Sequence, residues 1–431
     1  MAPPAAAGAT SAAPPEEDMA GRYCIVTGCN GGIGYQVARG LMARGAHVVM
    51  ACRNRGACEA AAEGLRAEGL RGTCACRSLD LTVTMWCMPG CWTGGPGPAR
   101  PRPGRARSRD PLSSASPIPQ DLDSVRAFAA QQRAELARAE PGAGAGADAA
   151  GAGGGAGRGR ALDVLVNNAG VMGVPRPPGS PEPHLAANHT GPYLLTRLLL
   201  PALAPGSGRV VTVASRAHFW GGLRLRGGAG AGAGAGAAPE VEDDTHNWFF
   251  QYARSKLCNV LFTAELQRRH GHAAAARAAA GTAAGEAAGG SGPGLREAAA
   301  PPAKGASPLG LGCYAVSPGF VDTGIFRHLL PSWAQWLRAP LRPLVRSPEQ
   351  GARVVVWAAC SSSLQGRDAL FLHDCREMQA SPAARDPRLA AELWRASAAL
   401  TGLPEEEEGE GEGAARGVRT ESTSGGGKGT R

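Results

Sequence analysis

A tyrosine and a lysine lie four residues apart in the segment Tyr252-Ala-Arg-Ser-Lys256. On a helix this spacing places both side chains on one face, where an ammonium group can lower the pKa of a phenol and let it exchange a proton near neutral pH. The chain has five tyrosines and, by count of its sequence, only three lysines, so chance seldom produces such a pair. The spacing therefore predicts acid–base chemistry.

Ser215 ends the apolar run GRVVTVAS. If that run is a strand of a parallel sheet, Ser215 lies at the carboxyl edge of the sheet, where open α/β folds bind their ligands. The alternative is that Ser215 only caps a following helix. The first interpretation makes Ser215 a site residue, and the second makes it a structural one.

A glycine-rich segment, TGCNGGIG at residues 27–34, separates the strand-like RYCIVTG from the helix-like YQVARGLMARG. Glycines let the backbone turn sharply and approach a pyrophosphate, and the N-terminus of the following helix points its amides at the anion. A glycine motif alone is weak evidence in a chain with 63 glycines. Its place between a strand and a helix predicts dinucleotide binding rather than a plain turn.

The second strand-like run, AHVVMACR, ends at Arg53. An enzyme that uses NAD has an acidic residue at this point to bind the ribose hydroxyls, and this chain has none there. A guanidinium can instead pair with a 2′-phosphate, which favours NADP(H) over NAD(H). The alternative is an ordinary surface arginine in an arginine-rich protein.

Strand-like and helix-like segments alternate around these residues. The first of them run in the order β-α-β-α-β, which predicts a parallel sheet with right-handed crossovers. Later helices are predicted at DLDSVRAFAAQQRAEL, with an aspartate cap, and at HLAANHTGPYLLTRLLLPAL, YARSKLCNVLFTAELQRR and PEQGARVVVWAAC; further strands are predicted at ALDVLVNNAG, GRVVTVAS and LGCYAVSPG, with an edge strand at RDALFLHD. We expect one doubly wound α/β domain with about seven parallel strands.

Low-complexity tracts interrupt this pattern. We expect a disordered N-terminus at 1–20, a single domain at 21–403, a disordered acidic and Gly/Ser-rich tail at 404–431, and insertions at about 83–120, 141–160, 226–240 and 272–306. The insertion at 83–120 has neither helix nor strand periodicity and ends in PLSSASPIPQ, as a translated intron would. We hypothesise that it is unspliced sequence; a natural disordered loop is the alternative.

The charge of +9 does not indicate nucleic-acid binding, because the basic residues form no stripe interleaved with aromatic residues. Twelve scattered cysteines without CxxC pairs favour a reducing compartment and no metal site. No apolar run of transmembrane length occurs, and the polar, proline-rich start is unlike a signal peptide. We expect a protein that is cytoplasmic or peripheral to a membrane.

These motifs together resemble the short-chain dehydrogenase/reductase family over about residues 21–403, and MACRN, RVVTVASRAH, YARSKLCNVLFTAELQRRH and SPGFVDT are most similar to its retinol dehydrogenase and dehydrogenase/reductase branch. The resemblance implies a Rossmann-type fold and an NADP(H)-dependent oxidoreductase that interconverts an alcohol and a carbonyl. It also implies an apolar substrate, such as a retinoid or lipid aldehyde, and a homo-oligomer.

The same resemblance implies roles for four residues at the reacting group. Tyr252 would donate or accept the proton, and Lys256 would bind the nicotinamide ribose and tune the phenol. Ser215 would hydrogen-bond the substrate oxygen, and Asn188 would hold a water in the proton relay. His218 and the loop 219–247 would face the substrate.

The resemblance also implies which residues line the dinucleotide. Asp80 would contact the adenine, Asn168 the adenosine side, and Pro318 with Gly319 the nicotinamide. The pyrophosphate and the ribose next to it would be lined by residues of the glycine-rich segment, which are Gly28, Asn30, Gly32, Ile33 and Gly34.

Two departures from the family's pattern keep another function open. The branch usually has Asn-His-Leu-Gly-His where this chain has Asn188-His189-Thr190-Gly191-Pro192, after a proline-broken lead-in, and an Ala/Gly tract interrupts the substrate loop after Arg226. The apolar N-terminal anchor common in the branch is absent from the sequence. The alternatives are a catalytically impaired dinucleotide-binding sensor or interaction protein of the same fold, and an unstable product whose insertions prevent folding.

Overall fold

The computed structural model describes residues 17–82, 122–139, 159–176, 181–226, 240–242, 247–276, 309–321, 345–367 and 371–404. The segment 83–120 lies outside these ranges, as do most residues of the other expected insertions and of the tail. The described chain begins before the expected domain start at residue 21: Met19 is buried and donates its backbone N–H to the carbonyl of Arg44 at 2.8 Å.

Strands and helices alternate along the described chain. The strands are β1 (Tyr23–Thr27), β2 (His47–Cys52), β3 (Thr73–Ser78), β4 (Val164–Asn167), β5 (Arg209–Val213), β6 (Leu225–Arg226), β7 (Glu240–Val241), β8 (Gly312–Ser317), β9 (Phe371–His373) and β10 (Arg376–Glu377). The α-helices are α1 (Gly32–Ala43), α2 (Arg55–Ala67), α3 (Asp123–Arg138), α4 (Pro183–Leu185), α5 (Gly191–Leu199), α6 (Trp248–His270), α7 (Pro348–Cys360) and α8 (Pro387–Thr401).

Eight strands form one sheet in the order β10-β9-β8-β5-β4-β1-β2-β3, and all but β10 run parallel. The expected doubly wound sheet of about seven parallel strands is thus confirmed. The expected edge strand is not at the edge, because β9 pairs with both β8 and β10. The strand order reverses between β1 and β4, and a ligand crevice is expected at the carboxyl ends of these two strands.

The two faces of the sheet carry separate apolar layers, because side chains alternate along each strand. Val48 and Met50 of β2 pack with helices α1, α2 and α7, whereas Val49 packs on the other face with α3, α5, α6 and α8. The sheet is therefore buried on both sides, as a parallel sheet requires. Among the described helices, none combines the length and the apolarity that crossing a bilayer requires.

Two local features differ from the sequence-based expectation. Helix α3 follows Leu122, which makes no side-chain cap, so the expected aspartate cap is wrong and Asp123 lies in the first turn instead. Helix α8 was not predicted at all. It has the usual boundary residues, since Asp386 caps its start, Pro387 opens its first turn and Gly402 ends it in the left-handed conformation.

Candidate active site

The glycine-rich loop between β1 and α1 packs tightly against the segment after β4. Gly28 has a φ of 66°, and a Cβ built on it would lie 2.8 Å from the Cα of Ala169. A Cβ on Gly34 would lie 2.3 Å from the carbonyl oxygen of Gly28. Both positions therefore require glycine, one for its conformation and both for lack of space.

Asn168 holds this loop in place. Its side-chain amide donates to the carbonyls of Thr27 at 2.8 Å and Gly28 at 3.2 Å, and its backbone N–H donates to the Thr27 hydroxyl at 3.0 Å. Asn168 is thus next to the predicted pyrophosphate site, and these hydrogen bonds hold the loop in position.

A cavity of about 720 Å³ runs along the carboxyl ends of the strands from this loop. Its lining includes a backbone cradle that is too narrow for a Cβ at one point, and polar side chains such as Asn30, Arg53 and Asp80. Eight of the residues predicted to bind a dinucleotide line it, which are Gly28, Asn30, Gly32, Ile33, Gly34, Arg53, Asp80 and Asn168.

Two charged residues border the far end of this cavity. Arg53 follows β2 and is exposed, and within the described part of the chain it forms no ion pair. Asp80 follows β3, and its carboxylate accepts from the backbone N–H of Thr82 at 2.9 Å and from the Thr82 hydroxyl at 2.6 Å. A guanidinium and a fixed carboxylate are therefore available near the predicted adenosine end.

Asn188 lies in a single π-helical turn, Ala186–Thr190, that joins α4 to α5. Its side chain accepts from Val171 N at 2.7 Å and donates to Val171 O at 3.0 Å and to the Ser255 hydroxyl at 2.9 Å. Pro183 opens α4, and Pro192 is the second residue of α5, directly after the π-helical turn, so the helical run from Pro183 to Leu199 continues through both prolines. The departure from the family's pattern therefore leaves Asn188 firmly positioned, in a kind of turn that is frequent at functional sites.

Tyr252 and Lys256 share one face of α6, as their spacing predicts. The Lys256 ammonium lies 5.7 Å from the centroid of the Tyr252 ring and donates to the carbonyl of Val213 at 2.9 Å. The phenol interacts with the side chain of Ser215, which follows β5. The three predicted residues are thus brought together at the carboxyl edge of the sheet.

Burial dominates the protonation of this cluster. It raises the pKa of Tyr252 to about 12, against a smaller lowering by the Ser215 hydroxyl, and it lowers the pKa of Lys256 to about 8. The expectation that Lys256 lowers the pKa of the phenol is therefore wrong for this structure. The ammonium is directed to the Val213 carbonyl, and burial and the Ser215 hydroxyl are the causes that shift the pKa of the phenol.

Gly170 connects the cavity to this cluster. It lines the cavity, and a Cβ built on it would lie 3.1 Å from Asn188 Oδ1 and 3.5 Å from Lys256 Nζ. Ser255, whose hydroxyl accepts a hydrogen bond from the side-chain amide of Asn188, was not predicted as a site residue. Its position between Tyr252 and Lys256 was the available clue, because a residue three positions after the tyrosine lies beside it on a helix.

Ser215 lies at the carboxyl edge of the sheet and also caps a short turn, while its role at a substrate stays a prediction. Its hydroxyl accepts from Ala217 N at 3.1 Å, which caps the short 3₁₀ turn Arg216–Trp220, and it also reaches Tyr252. His218 does not face a substrate as expected. It is buried, with Nδ1 at 2.8 Å from the carbonyl oxygen of Ser215 and with Nε2 accepting from the backbone N–H of Ser381 at 3.1 Å. It therefore stabilises the segment that follows β5.

Pro318 and Gly319 follow β8 at the same edge of the sheet. Gly319 has a φ of 85°, which favours glycine, and a Cβ there would lie 3.2 Å from the side chain of Arg346. Neither residue lines the described cavity. Several exposed aromatic side chains flank this edge, on the segments next to Ser215, Tyr252 and Gly319; they are Phe219, Trp220, Trp248, Phe250 and Phe320.

Comparisons with known proteins agree with this geometry. A sequence model of the family described as short chain dehydrogenase matches residues 22–86. Dehydrogenase/reductase SDR family member 13 of Homo sapiens is 30% identical over 398 residues, which cover 91% of this chain and 76% of that protein. Retinol dehydrogenase 12 of Bos taurus is 28% identical, with 89% of this chain and 87% of that protein covered.

A solved structure has a similar fold. The crystal structure of an uncharacterised protein from Mycobacterium paratuberculosis superposes with a TM-score of 0.50 and 26% identity, over 90% of this chain and 96% of that one. The arrangement of strands is thus that of a known architecture.

Proposed function

This chain belongs to the short-chain dehydrogenase/reductase family and is therefore an oxidoreductase acting on alcohol or carbonyl groups, and we propose that Tyr252 exchanges the proton in its reaction. The observation that carries this proposal is the convergence of Tyr252, Lys256 and Ser215 beside the cavity, on two elements that are distant in sequence. In the proposed reduction, the phenol gives its proton to the carbonyl oxygen of the substrate while the Ser215 hydroxyl holds that oxygen.

The protonation states fit a proton donor. With a pKa raised to about 12 by burial, the Tyr252 phenol keeps its proton at neutral pH, ready for transfer to an oxygen that gains negative charge. Lys256, with a pKa lowered to about 8 by burial, is mostly charged at neutral pH, and its ammonium would hold the nicotinamide ribose. Asn188, which is held by Val171 and Ser255, would order a water beside Lys256.

The cofactor we propose is NADP(H) rather than NAD(H). The dinucleotide supplies or accepts the hydride, and the protein aligns the two partners. Gly28, Asn30, Gly32, Ile33 and Gly34 would hold the pyrophosphate, and Asp80 and Asn168 the adenosine. Lys256 would hold the nicotinamide ribose, with Pro318 and Gly319 beside the nicotinamide ring. The exposed Arg53 supports a 2′-phosphate, because its guanidinium borders the cavity.

We propose an apolar alcohol or carbonyl compound as substrate. The exposed aromatic side chains beside Ser215 and Tyr252 offer apolar surface at the entrance to the site. Retinol dehydrogenase 12, whose name states a retinoid substrate, is among the relatives of this chain. A retinoid or a lipid aldehyde is the substrate class that these two observations favour.

The test is turnover of all-trans-retinal and several unrelated aldehydes with NADPH, in the wild type and in Tyr252→Phe. Loss of the proton donor should lower the rate by about 10²–10⁴-fold, while NADPH still raises the melting temperature of the variant. Tyr35→Phe is the matched control, since it removes a phenol hydroxyl that lies on α1 and donates to Glu68 at 3.4 Å. Equal rates in wild type and Tyr252→Phe would refute the role of Tyr252, and NADPH binding without turnover of any substrate would favour the sensor or interaction protein.

A further inference from the structure

Four buried cysteines from four different elements form a continuous chain of thiols beneath the glycine-rich loop. They are Cys29 in the loop, Cys52 at the end of β2, Cys58 in α2 and Cys76 in β3. The sulfurs of Cys29 and Cys52 are 3.7 Å apart, and those of Cys58 and Cys76 are 2.8 Å apart. The Cys58 thiol also reaches β2, where it donates to the carbonyl of Met50, two residues before Cys52, at 3.3 Å. We call these four residues the thiol chain.

The members of the thiol chain differ in their readiness to ionise. Hydrogen bonds from the Cys29 and Cys58 thiols lower the pKa of Cys52 below the ordinary range of a thiol. Burial raises the pKa of Cys29 and of Cys76, and the hydrogen bond with Cys52 raises that of Cys58. Because the thiolate is the reactive form, Cys52 is the expected point of attack on an oxidant.

The position of Cys52 gives an oxidant a route. Its neighbours in sequence, Ala51 and Arg53, line the dinucleotide cavity, and its sulfur lies 3.7 Å from that of Cys29 in the glycine-rich loop. Cys52 itself is 2% exposed. Reaction is therefore expected when the loop around Cys29 opens, and more slowly than at a surface thiol.

We propose that the thiol chain is an oxidation site, at which a hydroperoxide reacts with Cys52 and the product is a reversible disulfide between Cys58 and Cys76. The Cys52 thiolate attacks the peroxide oxygen, which gives Cys52 sulfenic acid and an alkoxide or hydroxide that takes up a proton. Cys58 then attacks the sulfenic sulfur, and a Cys52–Cys58 disulfide forms as water leaves with the Cys58 proton. Cys76 then attacks the Cys58 sulfur, and its proton passes to the departing Cys52 thiolate. In the net reaction, two thiols and one hydroperoxide give a disulfide, one molecule of water, and the alcohol that corresponds to the hydroperoxide (a second water when the oxidant is hydrogen peroxide).

The distances between the sulfurs explain why the final disulfide joins Cys58 to Cys76 and does not join Cys29 to Cys52. A disulfide has an S–S length of about 2.05 Å, so the Cys58 and Cys76 sulfurs, at 2.8 Å, need to approach far less than those of Cys29 and Cys52, at 3.7 Å. This inference does not depend on the proposed enzymatic activity.

The experiment treats the reduced full-length protein with a small molar excess of hydrogen peroxide, blocks free thiols, and analyses a non-reducing tryptic digest by mass spectrometry. The expected product is GACEAAAEGLR (residues 56–66), which contains Cys58, linked to GTCACR (residues 72–77), and dithiothreitol should remove the link. GTCACR contains both Cys74 and Cys76. Cys74 is more exposed than Cys76 and makes its hydrogen bond to a backbone carbonyl, that of Ala62, at 3.8 Å, so it is the matched control.

Cys74→Ser should retain the link and Cys76→Ser should lose it. Cys52→Ser should slow formation of the link by roughly tenfold or more, because the neighbouring thiols are poor nucleophiles. Cys52→Ala serves the same purpose if the serine variant does not fold, and the wild-type digest needs no variant. A link through Cys74, a Cys29–Cys52 disulfide as the main product, absence of any link in the wild type, or an unchanged rate without Cys52 would each overturn the proposal.

Discussion

Gly34→Ala tests the idea that the glycine-rich loop and the first turn of α1 form one rigid cradle. A Cβ at this position would lie 2.3 Å from the Gly28 carbonyl oxygen, 2.5 Å from Asn168 Nδ2 and 2.9 Å from the Cα of Cys29. These contacts are about 1 Å shorter than ordinary van der Waals distances. The side-chain amide could turn away, but the two backbone atoms cannot move without the whole loop.

The cost follows from what surrounds the loop. Gly28 cannot move away from the new methyl group, because it packs closely against Ala169: a Cβ built on Gly28 would lie 2.8 Å from the Ala169 Cα. Helix α1 must therefore shift away from the loop. Overpacking of this kind costs about 1–3 kcal/mol, which lowers the melting temperature of a domain of this size by roughly 2–12 °C. The shift also displaces the amides at the start of α1 that we expect to face the pyrophosphate, so NADPH binding should be lost.

The assay is thermal denaturation of wild type and variant with and without NADPH. Gly64→Ala is the control, because Gly64 is an exposed position inside α2 where a Cβ would meet only the Tyr35 hydroxyl, at an ordinary 3.5 Å. It should raise stability by up to about 1 kcal/mol and leave the NADPH response unchanged. A Gly34→Ala protein with the melting temperature and the NADPH response of the wild type would refute the reasoning.

Three further predictions concern charge and packing. Burial lowers the pKa of Lys256 from 10.5 to about 8, because the charged ammonium is desolvated in the folded state and hydrated in the unfolded state. At pH 7, Lys256→Met removes this cost and should raise the free energy of unfolding by about 1–3 kcal/mol. The same substitution should abolish turnover. This gain should shrink between pH 8 and pH 10.5, where the folded wild type has lost the proton and its unfolded chain still holds it. Arg53→Ala should weaken NADPH binding roughly tenfold and leave NADH binding unchanged, measured by titration. Trp394→Ala should lower the free energy of unfolding in urea by about 3–5 kcal/mol, because this buried ring of α8 stacks on Phe262 at 5.9 Å.

Each of these predictions has a contrary outcome. A stability gain for Lys256→Met that stays constant up to pH 11 would show that desolvation of the ammonium is not its cause. Parallel losses of NADPH and NADH affinity in Arg53→Ala would remove the argument for a 2′-phosphate site. A Trp394→Ala protein as stable as the wild type would mean that α8 contributes little to the core on its face of the sheet.

The local features of this chain were predictable because they depend on near neighbours. The order of strands and helices follows from periodicity, and the glycine-rich turn follows from its place between β1 and α1. The shared face of Tyr252 and Lys256 follows from the helical repeat alone. Helix α8 could have been found in the same way, from Asp386, Pro387 and Gly402 at its ends.

Other features depend on contacts between residues far apart in the sequence, which no local pattern contains. The burial that sets the pKa of Lys256 near 8 comes from elements packed around α6, and the partner of the ammonium is a carbonyl of β5, 43 residues away. Asn188 hydrogen-bonds to Val171, which lies in a different segment of the chain. His218 accepts from the backbone N–H of Ser381, because the segment after β10 packs against it in the folded protein. The thiol chain likewise exists only because parallel pairing brings β1, β2 and β3 side by side. Residue types and spacing determined which chemistry this protein could perform, and the folded packing decided which groups meet and at what protonation, because desolvation and hydrogen bonding act through space and not along the chain.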